Sequence, residues 1–290
     1  MYRSKNVRKL GLFRPKLNKF NGFPKVNIIS IEESEDRRST LSSQCKEYGI
    51  SHKFHIFPRY YSGLYNFTND DYTDEDIDLW SNGPTTSHLL AIRNWLIDTD
   101  EPYGFFAEDD IDFSISEYWN FEWKDFFARF PSDWSVMQLS LVREHYTIFK
   151  FFPNDRLRLR HRCWCDWNLA GYMITRRHAE ELIYNYMDGD NFRLKYCGID
   201  RQERLNQDAW WGLNANAENI IFTLFGNNYV APIFLEKEVN MANSTSYSSE
   251  TTEYDYKTFL NIRNHSRECV LEWWKQNGST LDLNEFFDVV

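Results

Sequence analysis

The pattern that most constrains the fold is a strand, a helix and a second strand near the N-terminus. Val26 to Ile31 follows Pro24 and is rich in β-branched residues, which predicts a buried strand. Thr40 to Tyr48 predicts a helix that ends at Gly49, since glycine is favoured just after a helix C-terminus. Ile50 to Phe57 predicts the second strand. Strands and helices that alternate in this way are typical of parallel sheets, so we expect an α/β fold.

A later apolar stretch, Tyr103 to Ala107, ends abruptly in the acids Glu108, Asp109, Asp110 and Asp112. Because alternate side chains of a strand share a face, we expect Glu108, Asp110 and Asp112 on one side and Asp109 on the other. Mg²⁺ and Mn²⁺ bind one or two carboxylates and complete their shell with water and phosphate oxygens. Ligands of open α/β sheets bind beyond the carboxyl ends of strands. The segment therefore predicts either a metal that holds a diphosphate or a solvated acidic turn.

The remaining sequence has no internal repeat and no glycine-rich dinucleotide or P-loop motif. A helix is expected to start at Gly83 to Ser87, where a threonine or serine can cap it. We expect a basic N-terminal arm at 1–24, one α/β domain at 25–240, and at 241–290 a mobile segment and a helix of the same domain. The other predicted elements are strands at Trp134–Leu141, Leu169–Ile174, Ile220–Phe225 and Tyr229–Phe234, and helices near 117–129, 176–187 and 257–276.

The charge of the chain is distributed unevenly. Residues 1–24 carry seven Lys or Arg and no acid, whereas the other residues carry 26 basic and 43 acidic side chains. An acidic body disfavours nucleic acid as the main partner, because phosphate neutralisation needs a basic face. The basic arm can make weak contact with an anionic membrane. A solvated arm, or an arm folded onto the acidic body, is the favoured interpretation.

Five cysteines at scattered positions fit a reducing compartment better than a disulfide framework. No stretch has the apolar length of a membrane span, and the N-terminus lacks the apolar core of a signal peptide. We therefore expect a soluble, cytoplasmic protein.

Four segments follow one another in an order that carries more information than any of them alone. They are Ile28–Ile31 leading to Asp36-Arg37-Arg38, Gly83 leading to Ser87-His88, Phe105 to Asp110, and Ala170 to Arg176 with Ala179 and Leu182. This order resembles glycosyltransferase family 25, the lipopolysaccharide and collagen galactosyltransferase-like group. One departure is Asn168, which lies near the position where the family has a first glycine before its Gly-Tyr pair.

The resemblance implies a GT-A-type nucleotide-sugar-binding sandwich with a mostly parallel central sheet. It implies transfer of a hexose, galactose or glucose, from a UDP-sugar to a hydroxyl of a glycan or protein, with inversion. A Mn²⁺ or Mg²⁺ ion held by Glu108 and Asp110, with Asp112 as a further candidate, would neutralise the leaving diphosphate. Asp109 would contact the ribose of the donor or cap a backbone turn.

Four other residues are candidates for binding the donor. Arg37 and Arg38 follow the first strand, where an arginine can bind a phosphate bidentately or pair with Glu33 or Glu35. The Ser87-His88 pair lies at a predicted helix start, which suits an anion, although the histidine can equally be structural.

The candidate general base is Asp208, which lies beside Trp210 and Trp211 in the predicted acceptor half. Its alternative role is that of a helix N-cap, and Asp166 and Asp200 are rival bases.

Two other functions remain open from the sequence. A catalytically inactive protein of the same fold could bind carbohydrate or a nucleotide sugar, and a nucleotide-sugar hydrolase would lack only the acceptor site.

Overall fold

The computed structural model describes residues 18–59, 79–143, 156–163, 166–192, 217–223, 226–238 and 253–288. The strands of these residues are β1 (Val26–Ile31), β2 (His52–Phe57), β3 (Tyr103–Glu108), β4 (Ile111–Asp112), β5 (Trp134–Gln138), β6 (Arg160–His161), β7 (Gly171–Thr175), β8 (Met187–Asp188), β9 (Asn191–Phe192), β10 (Asn227–Val230) and β11 (Leu235–Glu236). The α-helices are α1 (Glu35–Tyr48), α2 (Leu79–Asp98), α3 (Trp123–Phe127), α4 (Arg176–Tyr186), α5 (Ala217–Thr223), α6 (Glu253–Asn277) and α7 (Leu283–Phe286).

Seven of these strands form one central sheet in the order β2–β1–β3–β7–β5–β10–β6. β1 is parallel to β2 and β3, and β5 is parallel to β10. β7 is antiparallel to β3 and β5, and β6 is antiparallel to β10. Five of the seven strands therefore run in one direction, and the predicted α/β class is confirmed. The pairs β4–β11 and β8–β9 form two small separate sheets.

Helices cover both faces of the central sheet. A first core lies on the side of α1, α3 and α6 and includes Leu41, Trp123 and Trp274. A second core lies on the side of α2, α4 and α5 and includes Leu89 and Ile220. Burial of these large apolar side chains on two faces is the main force that holds the layers together.

The side chains of β3 alternate between the two cores. Phe105 and Ala107 belong to the first core, and Phe106 belongs to the second. By this alternation Glu108, the last residue of β3, is directed towards the side of α2.

The end of the predicted basic arm belongs to the fold. Phe20 is buried in the first core, and the carbonyl of Lys19 accepts a hydrogen bond from the amide of Trp123. Residues before the first strand therefore contribute to the first core.

Several predicted elements have different bounds or a different type. α1 begins at Glu35 and ends, as predicted, before Gly49, whose φ is 69°. The predicted strand at Ile220–Phe225 is wrong, since Ala217–Thr223 is helical. A short apolar run of this kind fits a buried strand and a buried helix equally well. The predicted helix near 117–129 is replaced by a 3-10 turn at Ser114–Tyr118 and the short α3.

Among the described residues, no helix combines the length and the apolar character that crossing a bilayer requires.

Candidate functional site

The acidic segment forms a turn at the carboxyl end of β3. The strand β3 ends at Glu108. The turn consists of Asp109 and Asp110, and β4 begins at Ile111. Glu108 lies opposite Ile29 of the parallel neighbour β1, so the turn lies at the sheet edge where the sequence predicted a ligand. The predicted alternation of acids along one strand is wrong, because the chain turns after Glu108. Glu108 instead contacts α2, Asp109 contacts α1, and Asp110 contacts both α1 and α6.

Asp109 faces α1 and holds an arginine in place. Its Oδ2 accepts a hydrogen bond from Ser30 Oγ at 2.6 Å, and its Oδ1 accepts one from Arg37 Nη1 at 2.6 Å. Burial raises the pKa of Asp109 to about 6, although the charge of Arg37 opposes this shift. Both carboxylate oxygens of Asp109 therefore have protein partners, and the direct role of Asp109 is to position Arg37.

Asp110 is the least satisfied carboxylate of the turn. Its Oδ2 lies 3.2 Å from Arg37 Nη2 and 3.8 Å from Arg263 Nη2. Its Oδ1 is buried and has no hydrogen-bond partner among the described residues. Burial, followed by the charge of Glu108, raises the pKa of Asp110. A buried carboxylate oxygen without a partner is costly, so this atom is a natural place for a ligand.

Glu108 faces α2 and pairs with a buried histidine. His88 Nε2 lies 3.4 Å from Glu108 Oε1, and His88 Nδ1 lies 3.0 Å from the hydroxyl of Tyr172. Burial acts to raise the pKa of Glu108, but the hydrogen bond and charge of His88, with Arg263 and Arg37, hold it below its usual value. Its side chain keeps 31% of its exposure, so Glu108 is both ionised and accessible.

The expected helix-start position of Ser87 and His88 is wrong. α2 begins at Leu79 and contains Pro84, so both residues lie well inside the helix and are buried. The predicted cap is also absent, since Thr86 Oγ donates to the carbonyl of Gly83. His88 belongs to the site through Glu108 and not through a helix N-terminus.

Asp112 lies outside the group formed by the first three acids. Its Oδ1 accepts hydrogen bonds from Gln44 Nε2 and from the amide of Ser114, both at 2.9 Å. Its Oδ2 lies 3.3 Å from Arg267 Nη2. These contacts fix the chain after β4, and they leave Asp112 a structural role in place of the predicted metal-binding one.

The two predicted arginines have different roles. Arg37 contacts the acidic turn and not Glu33 or Glu35. Arg38 donates to the carbonyls of Ile31 and Glu32 and so holds the connection between β1 and α1. Of the two, only Arg37 is placed to reach a phosphate at the turn.

Sequence reasoning missed the basic residues that come from the C-terminal third. Arg263 and Arg267 extend from α6 to the acidic segment, and Lys237 follows β11 and donates its backbone amide to the carbonyl of Asp110. The available signal was the four-residue spacing of the two arginines, which places them on one helix face. That spacing does not tell what the face contacts.

Asp166 is unsuited to be the general base. It is fully buried, with Oδ1 2.6 Å from Arg160 Nη2 and 3.3 Å from Arg143 Nε, and its Oδ2 accepts the amide of Cys163 at 2.7 Å. Burial acts to raise the pKa of Asp166, but the hydrogen bonds and charge of Arg160 hold it below its usual value. The other two candidates, Asp208 and Asp200, lie outside the described residues.

The donor set of the turn fits a divalent cation with few protein ligands. Within the described ranges no three His, Cys, Asp or Glu side chains converge as a complete metal site. Glu108 and the unpartnered oxygen of Asp110 are nevertheless hard ligands, and a cation beside them would relieve their mutual repulsion. A Mg²⁺ or Mn²⁺ ion characteristically takes one or two carboxylates and leaves its other positions for water and phosphate.

Comparison with known proteins gives no family. No protein-family model matches the chain, and no curated protein matches it. Among solved structures, the chain is similar to a glycosyltransferase involved in the glycosylation of the major capsid of PBCV-1, with 8% identity and a TM-score of 0.26. The match covers 82% of this chain and 100% of the other. At this TM-score the similarity assigns neither fold family nor activity, and the resemblance to family 25 stays a prediction.

Proposed function

We propose that this protein is a metal-dependent glycosyltransferase that moves a hexose from a UDP-sugar to a hydroxyl of a glycan or protein, with inversion, on a GT-A-type fold. The observation that carries the proposal is the environment of Asp110. A buried carboxylate lies just after the carboxyl end of β3, and one of its oxygens has no hydrogen-bond partner among the residues that the structure describes. Two arginines lie within 4 Å of its other oxygen. Carboxylates next to arginines suit a ligand that combines a cation with a diphosphate.

Glu108 and Asp110 are the residues that would hold Mn²⁺ or Mg²⁺. When bound, the ion would neutralise the negative charge that develops on the leaving diphosphate. His88 keeps Glu108 ionised, and the hydroxyl of Tyr172 fixes the orientation of the His88 ring. These contacts supply the preorganised support that a metal-binding carboxylate needs.

Arg37 would bind the diphosphate directly. Its guanidinium is held by Asp109, which is itself held by Ser30 on β1. A guanidinium fixed in this way loses little side-chain freedom when it binds a phosphate. The donor would therefore lie over the carboxyl ends of β1 and β3.

Asp208 is the proposed general base, and it would take the proton of the acceptor hydroxyl as that oxygen attacks the anomeric carbon. Inversion follows if the hydroxyl attacks on the face opposite the leaving diphosphate. The exclusion of Asp166 supports this choice only indirectly, since Asp200 also remains a candidate.

The proposed metal ligand can be tested with Asp110→Asn. We expect this variant to lose Mn²⁺-dependent binding of UDP and turnover of UDP-hexose, because an amide oxygen is a weaker ligand for a hard cation. Asp112→Asn should retain both, since Asp112 is engaged by Gln44, Ser114 and Arg267. The measurements are calorimetric titration of UDP with and without Mn²⁺, and a turnover screen of UDP-, GDP- and CMP-sugars. Near-normal activity of Asp110→Asn would contradict the assignment.

The same screen separates the proposed function from its alternatives. Release of free sugar without attachment to an acceptor would indicate a hydrolase. Mn²⁺-dependent UDP binding without turnover of any sugar would indicate an inactive binding protein.

The proposed base has its own test in Asp208→Asn. An amide has nearly the same shape as a carboxylate but cannot accept the proton, so kcat should fall by ~10²–10⁴-fold while UDP and Mn²⁺ affinity stay unchanged. Turnover within about threefold of the unmodified protein would exclude the general-base role, because loss of a general base typically lowers the rate by more than that. The variant Asp200→Asn would then be measured.

A further inference from the structure

We propose that Arg263 is a second diphosphate-binding residue, which reaches Asp110 from a different helix than Arg37. This inference rests on the proposed function, since it takes a diphosphate as the ligand of the acidic turn. Arg37 comes from α1 and Arg263 comes from α6, and their Nη2 atoms lie 3.2 Å and 3.8 Å from the same Oδ2 of Asp110. A phosphate beside this oxygen would therefore be within reach of two guanidinium groups.

The orientation of Arg263 is fixed by a buried carboxylate. Glu236 is 5% exposed, and its two oxygens contact Nε and Nη2 of Arg263. Glu236 is held in turn by Asn168 Nδ2 at 2.7 Å. The hydrogen bond from Arg263 Nε to Glu236 Oε2, at 3.1 Å, restrains the planar guanidinium. Arg263 therefore reaches the site with its geometry already set.

The net charge of the site also supports a diphosphate-binding role for Arg263. The carboxylates from 108 to 110, together with Glu236, carry four negative charges against the three positive charges of Arg37, Arg263 and Lys237. A divalent cation bound by the carboxylates would leave an excess of positive charge. A diphosphate supplies the compensating negative charge, and loss of Arg263 would reduce that attraction in a site shielded from water.

The competing interpretation is that Arg263 only fastens α6 to the sheet. Arg267 is the matched control for that role, because it lies one turn further along the same helix. It donates from Nε to the carbonyl of Glu236 at 2.9 Å and contacts Asp112, which is outside the proposed ligand site. If fastening is the whole role, neutralising either arginine should have the same effect.

The test compares the variant Glu236→Gln with the double variant Glu236→Gln/Arg263→Gln. Glu236 is neutralised in both, because removing Arg263 alone would leave the buried carboxylate of Glu236 without this cation. Binding of inorganic pyrophosphate and of UDP is titrated calorimetrically in the presence of Mn²⁺, and thermal unfolding verifies that each variant is folded. Loss of one charge-assisted contact should weaken both ligands by about tenfold to a hundredfold in the double variant. Arg267→Gln should bind both within about threefold of the unmodified protein, since it removes no such contact.

Pyrophosphate binding that is equal in the single and double variants would overturn the inference, and so would an equal loss in Arg267→Gln. A different result would contradict the proposed function without contradicting this inference. If pyrophosphate binding depends on Arg263 but no nucleotide sugar is turned over, the diphosphate site stands and glycosyl transfer does not.

Discussion

Two buried groups of acids and arginines in this protein are built from the same residue types and have opposite character. Asp166 is enclosed by Arg143 and Arg160, has both oxygens bonded, and has a lowered pKa. Asp110 contacts Arg37 and Arg263, has one oxygen without a hydrogen-bond partner in the part of the chain that the structure describes, and has a raised pKa. The difference comes from neighbouring charge. Asp166 is a single carboxylate among cations, whereas Asp110 is next to two other carboxylates.

The comparison separates structural ion pairs from a site prepared for a ligand. A buried charge is stable when every polar atom has a partner, and it then contributes to the fold alone. A carboxyl group whose pKa is raised, so that its charged form is disfavoured unless a cation binds, is characteristic of functional sites. Burial and arginine contacts by themselves therefore do not mark function. What sets Asp110 apart from Asp166 is a carboxylate oxygen without a hydrogen-bond partner among the described residues, next to another carboxylate.

The largest expected effect concerns the stability of Asp166→Asn. This change removes the carboxylate charge that the buried Arg143 and the partly buried Arg160 contact, and loss of one partner of a buried pair costs about 3–5 kcal/mol. Asp110→Asn should change the free energy of unfolding by less than about 1 kcal/mol, because it removes a charge that the fold disfavours. Equilibrium urea unfolding measures both. Equal losses would mean that the acidic turn is a structural ion pair like the first group.

The second prediction concerns pH in the absence of divalent ions. The pKa of Asp109 is about 6 in the folded protein against 3.8 for a free group, so the folded state holds this proton more tightly. Its contribution to stability is present at low pH and is lost as the pH rises from about 4 to about 6, by roughly 3 kcal/mol. Asp166 has the opposite sign, since its stabilisation is lost as the pH falls below 3.8 through its lowered pKa.

Unfolding free energies measured from pH 4 to pH 7 in the unmodified protein and in Asp109→Asn test this sign. The fall in stability between pH 4 and pH 6 should be smaller in the variant, and the part that remains comes from Asp110, whose pKa burial also raises. Parallel curves for the two proteins would show that Asp109 does not carry the effect.

The smallest prediction concerns Asn168, which connects the two regions. It lies two residues after Asp166, has a φ of 103°, and donates to Glu236, the partner of Arg263. Asn168→Ala and Asn168→Gly both lose the side-chain hydrogen bonds, but only alanine is strained at this φ. The alanine variant should therefore be less stable by about 1–2 kcal/mol in thermal or urea unfolding. Equal stability of the two variants would indicate that the backbone relaxes.

The amino-acid sequence by itself determined the elements that have strong local patterns. The strand Val26–Ile31, the end of α1 at Gly49 and the α/β class were predicted correctly, because apolar runs and terminal glycines act within a few residues. The location of the acidic segment at a strand's carboxyl end was also correct. The start of α2 and the helical state of α5 were not, since their apolar runs fit more than one structure.

Only the tertiary structure decided the roles of individual charges. It turned the chain after Glu108, engaged Asp112 with Arg267, enclosed Asp166 and brought Arg263 to Asp110 across more than 150 positions of sequence. A carboxylate's role depends on the desolvation and the neighbouring charges that it meets. These are set by packing between distant segments, and no local pattern contains them.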